Sequence, residues 1–276
     1  MTTREFLTNV TFILMVMAIG ALLEIAAPLF AAKADRARRT ANLGLTALSF
    51  LSNWVLSSTA AILALSLRPA GLMSTVAWSP TAQIALGVLL LDFSVGYLSH
   101  YTLHMSSFLW RFHRIHHSDD FVDVTTTYRT HPVETVWRFL FAVVPVWMVG
   151  IPAQAVVMQR LLQAAWGVME HSNVCLWRPL DRWLSLVWVT PNVHKVHHSR
   201  ARAEANSNYG NVLTLYDRLL GTFTPSERAY SVIYGLDDAD PARTASFPGL
   251  LLMAFEPPDE MSEPDTKVRN ASTATR

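Results

Sequence analysis

Apolar runs long enough to cross a bilayer constrain this chain most. Residues 6–32, 43–67 and 84–103 each reach the length of about 20 residues that a spanning helix needs. A fourth apolar region, 136–169, is broken by Pro145 and by Gly150-Ile151-Pro152. Proline and glycine end one helix there and start another, giving two arms of about 15 and 18 residues, short for full spans. The region reads as a helical hairpin that either spans or dips in and returns. The first run is too long for a secretory signal and lacks a small-residue cleavage context. It contains Glu24, which is either a functional carboxylate or an interfacial one near a helix end. Composition agrees: 51% of the 276 residues are hydrophobic and 16% charged, against roughly 25% charged in a soluble domain. A soluble globular protein and a disordered chain are excluded. A net charge of +1 gives no basic field for nucleic acid. The single cysteine, Cys175, excludes an internal disulfide, a cysteine zinc finger and an iron–sulfur cluster.

Basic residues orient the spans. Lys33, Arg36, Arg38 and Arg39 follow the first run, and Arg111, Arg114, Arg129 and Arg138 follow the third. Only Arg68 lies between the second and third. The consistent solution places the N-terminus outside and residues 33–42, 105–135 and 171–276 in the cytoplasm. In a bacterium this would be the inner, or cell, membrane. Three segments follow: N-terminal transmembrane helices over 1–82, a central segment over 83–224, and a polar C-terminal tail over 225–276. The tail is rich in Pro, Glu, Ser, Thr and Asp from about 257 onward and reads as partly disordered.

All ten histidines lie between His100 and His198, a crowding that independent placement would produce about once in thirty thousand chains. Eight fall into three boxes: His100 and His104; His113, His116 and His117; His194, His197 and His198. Spacings of three and four place side chains on one helix face, so each box aims two or three imidazoles in one direction. Neutral imidazole suits iron, zinc and copper. One site uses three to five protein ligands; eight box histidines, with His131 and His171 beside them, point to two metals. Soluble carboxylate-bridged sites use Glu-x-x-His pairs. None occurs here, so the site is nearly all nitrogen.

The chain resembles the fatty acid hydroxylase/sterol desaturase superfamily of integral membrane di-iron enzymes. The resemblance runs from about Asp92 to Thr222. It is carried by the three boxes, the Leu109–His113 lead into the second, the stretch from Thr126 to Glu134, His171-Ser172-Asn173, Thr190-Pro191-Asn192, Asn208-Tyr209-Gly210 and Asp217–Thr222. Tyr101 stands where many relatives carry Arg, and Tyr216 and Leu220 replace a more usual Trp and Phe. The resemblance implies two iron ions ligated by His100, His104, His113, His116, His117, His171, His194, His197 and His198, with His131 as a tenth ligand or a group beside the site. Zinc can replace iron in purified protein.

A ligating imidazole usually donates its other ring proton to a carboxylate or carbonyl. Asp92, Glu134, Asn173, Asn192, Asn208 and Asp217 are the expected partners, Asp92 foremost because a carboxylate inside a span should not stay unpaired. Asp119 and Asp120 read as solvated in a cytoplasmic turn. The fold expected is all-α: about three spanning helices and a hairpin beneath a cytoplasmic helical cap that holds the di-metal site. The activity implied is O2-dependent hydroxylation of a lipid or sterol-like substrate that enters from the bilayer. Desaturation is the alternative within the superfamily, and a membrane metal-binding or transport protein the alternative outside it. With no Gly-rich dinucleotide fingerprint, electrons are expected from an external ferredoxin, cytochrome or flavin reductase.

Overall fold

The computed structural model describes residues 3–31, 35–66, 71–75 and 78–256. The stretch 257–276, expected to be disordered, lies outside the described residues. The fold is all helical; no β-strand forms among the described residues, which carry two isolated bridges. Among the described residues, three helices are long and apolar enough to cross a membrane: α1 (Thr3–Ala26), α3 (Pro80–Met105) and α5 (Pro132–Gly150). The second apolar run falls on α2 (Arg36–Ser66), a 31-residue helix. Its buried Asn42 and Ser49 bond to the loop after the second box.

The hairpin forms as α5 followed by α6 (Ala153–His171), turning at Gly150 with φ +77°. Gly150 lies against Gly71, where a Cβ would meet the Gly71 Cα at 2.9 Å, so the tight turn needs glycine twice over. Pro145 does not end the first arm, as the sequence suggested. The helix passes through it and widens into a π turn over Val146–Gly150. A second π turn, Asp92–Leu98, interrupts α3 just before His100. Such turns re-aim the side chains that follow them and gather at functional sites.

The outer ends of α3 and α6 cross where Gly87 meets Ile151 and Ala155. Leu91, Val95, Ile151 and Ala155 form the core there. At the other end, α4 (Ser107–His117) and α8 (Pro191–His197) carry the second and third boxes. Local sequence starts both. The Ser106 hydroxyl accepts from Leu109 N and the Thr190 hydroxyl from Val193 N, with Pro191 at the first turn of α8. Between them comes α7 (Arg178–Leu184), and after them α9 (Leu215–Leu220).

Within residues 225–256, α10 (Phe247–Met253) packs Leu250 and Met253 against Leu45 of α2 and Ile115 of α4. One expectation changes here. Asp119 is not solvated. It is 1% exposed and bonds to Arg38 at 3.0 Å, Asn42 and Thr126. Burial alone would raise its pKa, but Arg129 and Arg38 hold the carboxyl below the usual range. Asp120 is exposed, as expected.

Candidate metal centre

Nine histidines converge, in two groups that do not follow the boxes. Group A holds His100 and His104 at the end of α3, His113 and His117 on α4, and His197 on α8. Group B holds His116 on α4, His171 at the end of α6, and His194 and His198 from α8 and its C-terminus. Within each group the ligand atoms lie within 4.8 Å of one another, and every ring is buried. A box divides because positions i+3 and i+4 diverge by about 100° around a helix. On α4, His113 and His117 face A while His116 faces B; on α8, His194 and His198 face B while His197 faces A. The groups abut, with the His117 and His198 rings stacked at 4.7 Å.

The nitrogens are too close to be explained by hydrogen bonding. In B, His171 Nε2 lies 3.0 Å from His116 Nε2, 3.1 Å from His194 Nε2 and 3.2 Å from His198 Nε2. The His171 Nδ1–H donates to the Gly167 carbonyl at 2.6 Å, so its Nε2 is a bare lone pair. His194 and His198 Nε2 are themselves 3.2 Å apart. Three mutually adjacent ring nitrogens cannot each find a proton to share. In A, the Nε2 atoms of His104, His117 and His197 are buried with no hydrogen-bond partner at all, and His100 Nε2 lies 3.1 Å from His113 Nε2. Two nitrogens about 2.1 Å from one cation and 90–110° apart are separated by about 3.0–3.4 Å. Both groups fit a metal ion on this test.

The outer nitrogens distinguish the groups. In A, His100 Nδ1 donates to Tyr209 O at 2.9 Å, His197 Nδ1 to Ser207 O at 2.7 Å, His113 Nδ1 to Glu134 Oε2 at 2.9 Å and His104 Nδ1 to Asn206 Oδ1 at 3.3 Å. Arg138 bonds the other Glu134 oxygen at 2.9 Å. In B, only His171 is anchored; the Nδ1 atoms of His116, His194 and His198 have no hydrogen-bond partner. Glu170 stands nearby, 3.7 Å from His194 Nδ1, held by Asn211 at 2.8 Å.

Burial and the neighbouring histidines hold His117, His194 and His198 well below the usual histidine pKa, and burial with the His171 and His113 rings does so at His116. For His113 the cause is burial and then Arg138. His197 is pushed down to about 4, chiefly by burial. Neutral rings keep the lone pairs that a cation takes. Lys195, between the third-box histidines, is fully buried and donates to the Ser172 carbonyl. Burial pushes it down to about 7 against the pull of Glu24, Asp181 and Asp123.

His131 is not brought to either group. Its Nδ1 accepts from Val133 N and caps α5, and its ring packs on Phe112 at 5.0 Å. Of the expected partners, only Glu134 bonds to a cluster histidine. Asp92 bonds to no cluster histidine; its carboxyl lies beside Gly96 and the Val212–Leu213 backbone. Asn173 pairs with the Phe30 backbone, and Asn192 reaches Tyr230. Asp217 and Asn208 act one step further out. Asp217 accepts from Tyr209 N and Gly210 N, and Asn208, at φ 54°, braces Val193 and Thr224. Together they hold the loop whose carbonyls anchor His100 and His197. The sequence reading missed Asn206, which sits two residues before the Asn208-Tyr209-Gly210 motif it had singled out. Glu24, near the end of α1, accepts Val124 N at 2.8 Å and Asn173 N at 2.7 Å.

An all-helical bundle with three membrane-length helices and a doubled cluster of buried imidazoles at one end defines a class of membrane-bound histidine-box protein. The family model for fatty acid hydroxylases matches residues 84–222, about half of the chain, and the chain belongs to that family. An ornithine lipid hydroxylase of Rhizobium tropici is 34% identical over 160 residues, covering 58% of this chain and 47% of that protein. The alkylglycerol monooxygenases of Caenorhabditis elegans and Homo sapiens are 28% and 30% identical, each over 51% of this chain and over 27% and 30% of their own lengths. The chain therefore spans less than half of each of these relatives. No solved structure matches it.

Proposed function

We propose that this protein hydroxylates a C–H bond of a membrane lipid with O2, using two iron ions held by groups A and B. The observation that carries the reading is the pair of abutting imidazole groups with buried, unshared Nε2 lone pairs. His100, His104, His113, His117 and His197 would hold one ion, and His116, His171, His194 and His198 the other. When bound, the iron pair supplies dioxygen activation and hydrogen removal from an unactivated carbon. The chain supplies the setting. Tyr209 O, Ser207 O, Gly167 O and Glu134 fix each anchored ring with its proton on Nδ1, which leaves Nε2 free to ligate. Burial keeps the rings neutral and water away.

Both relatives' names describe insertion of oxygen rather than desaturation, and both name polar lipids, which favours a hydroxylated polar lipid as product. Electrons would come from an external ferredoxin, cytochrome or flavin reductase, with the site on the cytoplasmic face. The test is expression with iron, metal analysis of the detergent-solubilised protein, and lipidomics of expressing cells against cells carrying His197→Ala. We expect close to two irons per chain and a lipid heavier by one oxygen that the variant does not make. One iron or fewer after iron-replete expression, or an unchanged lipid in the variant, would overturn the reading.

A further inference from the structure

Helix α7 exposes an apolar face. Trp177 just before it, and Leu180 and Trp183 within it, lie on one face by their three-residue spacing, at 72%, 40% and 67% exposure. Its charged residues occupy the other sides. Asp181 is buried, the Arg178 guanidinium stacks over Tyr230 at 4.3 Å, and the exposed Arg182 pairs with Glu227 at 2.7 Å. Leu186 and Val187 continue the exposed apolar surface, and α9 adds Leu215, Leu219 and Leu220. The two segments are one unit: Val189 N donates to Val212 O and Thr214 N to Val187 O, each at 3.0 Å.

This unit is tied to two of the long helices. Tyr216 of α9 donates to the Leu89 carbonyl of α3 at 2.8 Å and its ring meets Phe93 at 5.2 Å. Leu89 precedes His100 by eleven residues, about 16 Å along a helix axis. On α6, Trp166 donates to Val189 O at 2.7 Å and packs on Trp188 at 5.1 Å. The apolar face thus adjoins the spanning helix α3, and it exposes three indoles, Trp177, Trp183 and Trp188, amphipathic rings of the kind that settle at a membrane interface.

We infer that residues 177–188 and 215–220 form a ledge embedded in the bilayer, whose partner is lipid acyl chain, and not a solvated part of a cytoplasmic cap. The inference rests on the spanning helices and is independent of the reaction. A second copy of this chain is the competing occupant.

The test uses the full chain in phospholipid nanodiscs. In a Cys175→Ser background, Trp183→Cys, Leu219→Cys and, as a solvated reference on the far charged surface, Ala242→Cys each carry an NBD fluorophore. Doxyl-labelled phosphatidylcholine is the quencher, and monodisperse elution confirms folding. We expect blue-shifted emission at 183 and 219, and quenching about three-fold or more above that at 242. Equal emission and quenching at all three positions would overturn the ledge. Blue-shifted emission without doxyl quenching would overturn it in favour of a second copy covering the face.

Discussion

Group A and group B share a helix pair, a boundary and a ligand type, yet are supported differently. A gathers five imidazoles, four of which donate their outer N–H to Tyr209, Ser207, Asn206 or Glu134. B gathers four and anchors one, at Gly167. Outer hydrogen bonds fix ring tautomer and direction and raise ligand basicity. A would therefore hold a cation in one geometry. In B the outer nitrogens of three rings have no hydrogen-bond partner and an unpartnered Glu170 oxygen lies beside them, so a cation there would be less rigidly held.

The harshest way to break this comparison is to remove one ligand from each side. His113→Ala and His198→Ala should each lower iron by about one equivalent per chain and take product below detection, because the two ions act as a unit. Iron quantification beside product analysis checks it. Two irons and full turnover in either variant would dissolve the assignment of nine ligands to two groups.

Acid comes next. In the metal-free protein the buried rings are neutral, and His197 titrates at about 4 in place of the ordinary 6.5. Its folded pKa lies below its unfolded one, so between those values the unfolded chain binds more protons than the native one. Stability is complete above about pH 6.5 and falls as pH drops toward 4, by about 3 kcal/mol for His197 alone. Thermal unfolding of chelator-treated protein from pH 8 to pH 4 should show the midpoint falling steadily below pH 6.5. A flat profile would mean the rings are not neutral and buried without metal.

The outer partners sharpen the contrast directly. Glu134→Gln replaces the carboxyl acceptor on His113 with an amide and should cost about 10–100-fold in metal affinity or activity. Glu170→Gln removes a carboxylate that stands 3.7–3.8 Å from its histidines and should cost less than about ten-fold. Chelator titrations of the two variants against the parent measure both. Equal losses would mean that B is anchored as firmly as A.

Much of this was legible in the sequence, for physical reasons. Spanning runs announce themselves by length, and helix-spaced histidines by period. The rest was hidden because it depends on backbone atoms or on packing. Carbonyls of Tyr209, Ser207 and Gly167 carry no side-chain signature, so the search for ring partners went to carboxylates and amides and found only Glu134. The division of each box into A and B needed the directions of α4 and α8. Asp119 looked solvated because Arg38, its partner, lies 81 residues away. His131 looked like a ligand by its neighbours, whereas the proline after it makes it a helix cap.

The mildest perturbation concerns what steadies B from outside. Glu24 reaches from α1 to Asn173 N, two residues beyond His171, and to Val124 N after the second box. For A the spanning helix α5 bonds a ligand ring directly, through Glu134 on His113, and the loop behind the other rings is braced by Asp217 and Asn208. Glu24→Ala leaves two backbone N–H groups without their acceptor, a cost of about 1–3 kcal/mol. Glu24→Gln keeps an acceptor oxygen in place and should recover most of that loss. If the clasp serves B, the alanine variant gives up its more weakly held iron first in a chelator titration, with the tightly held one unmoved, and glutamine restores the parent curve. Loss of both irons in parallel would show that α1 steadies the whole cluster, and the asymmetry between the groups would then reside in their outer hydrogen bonds alone.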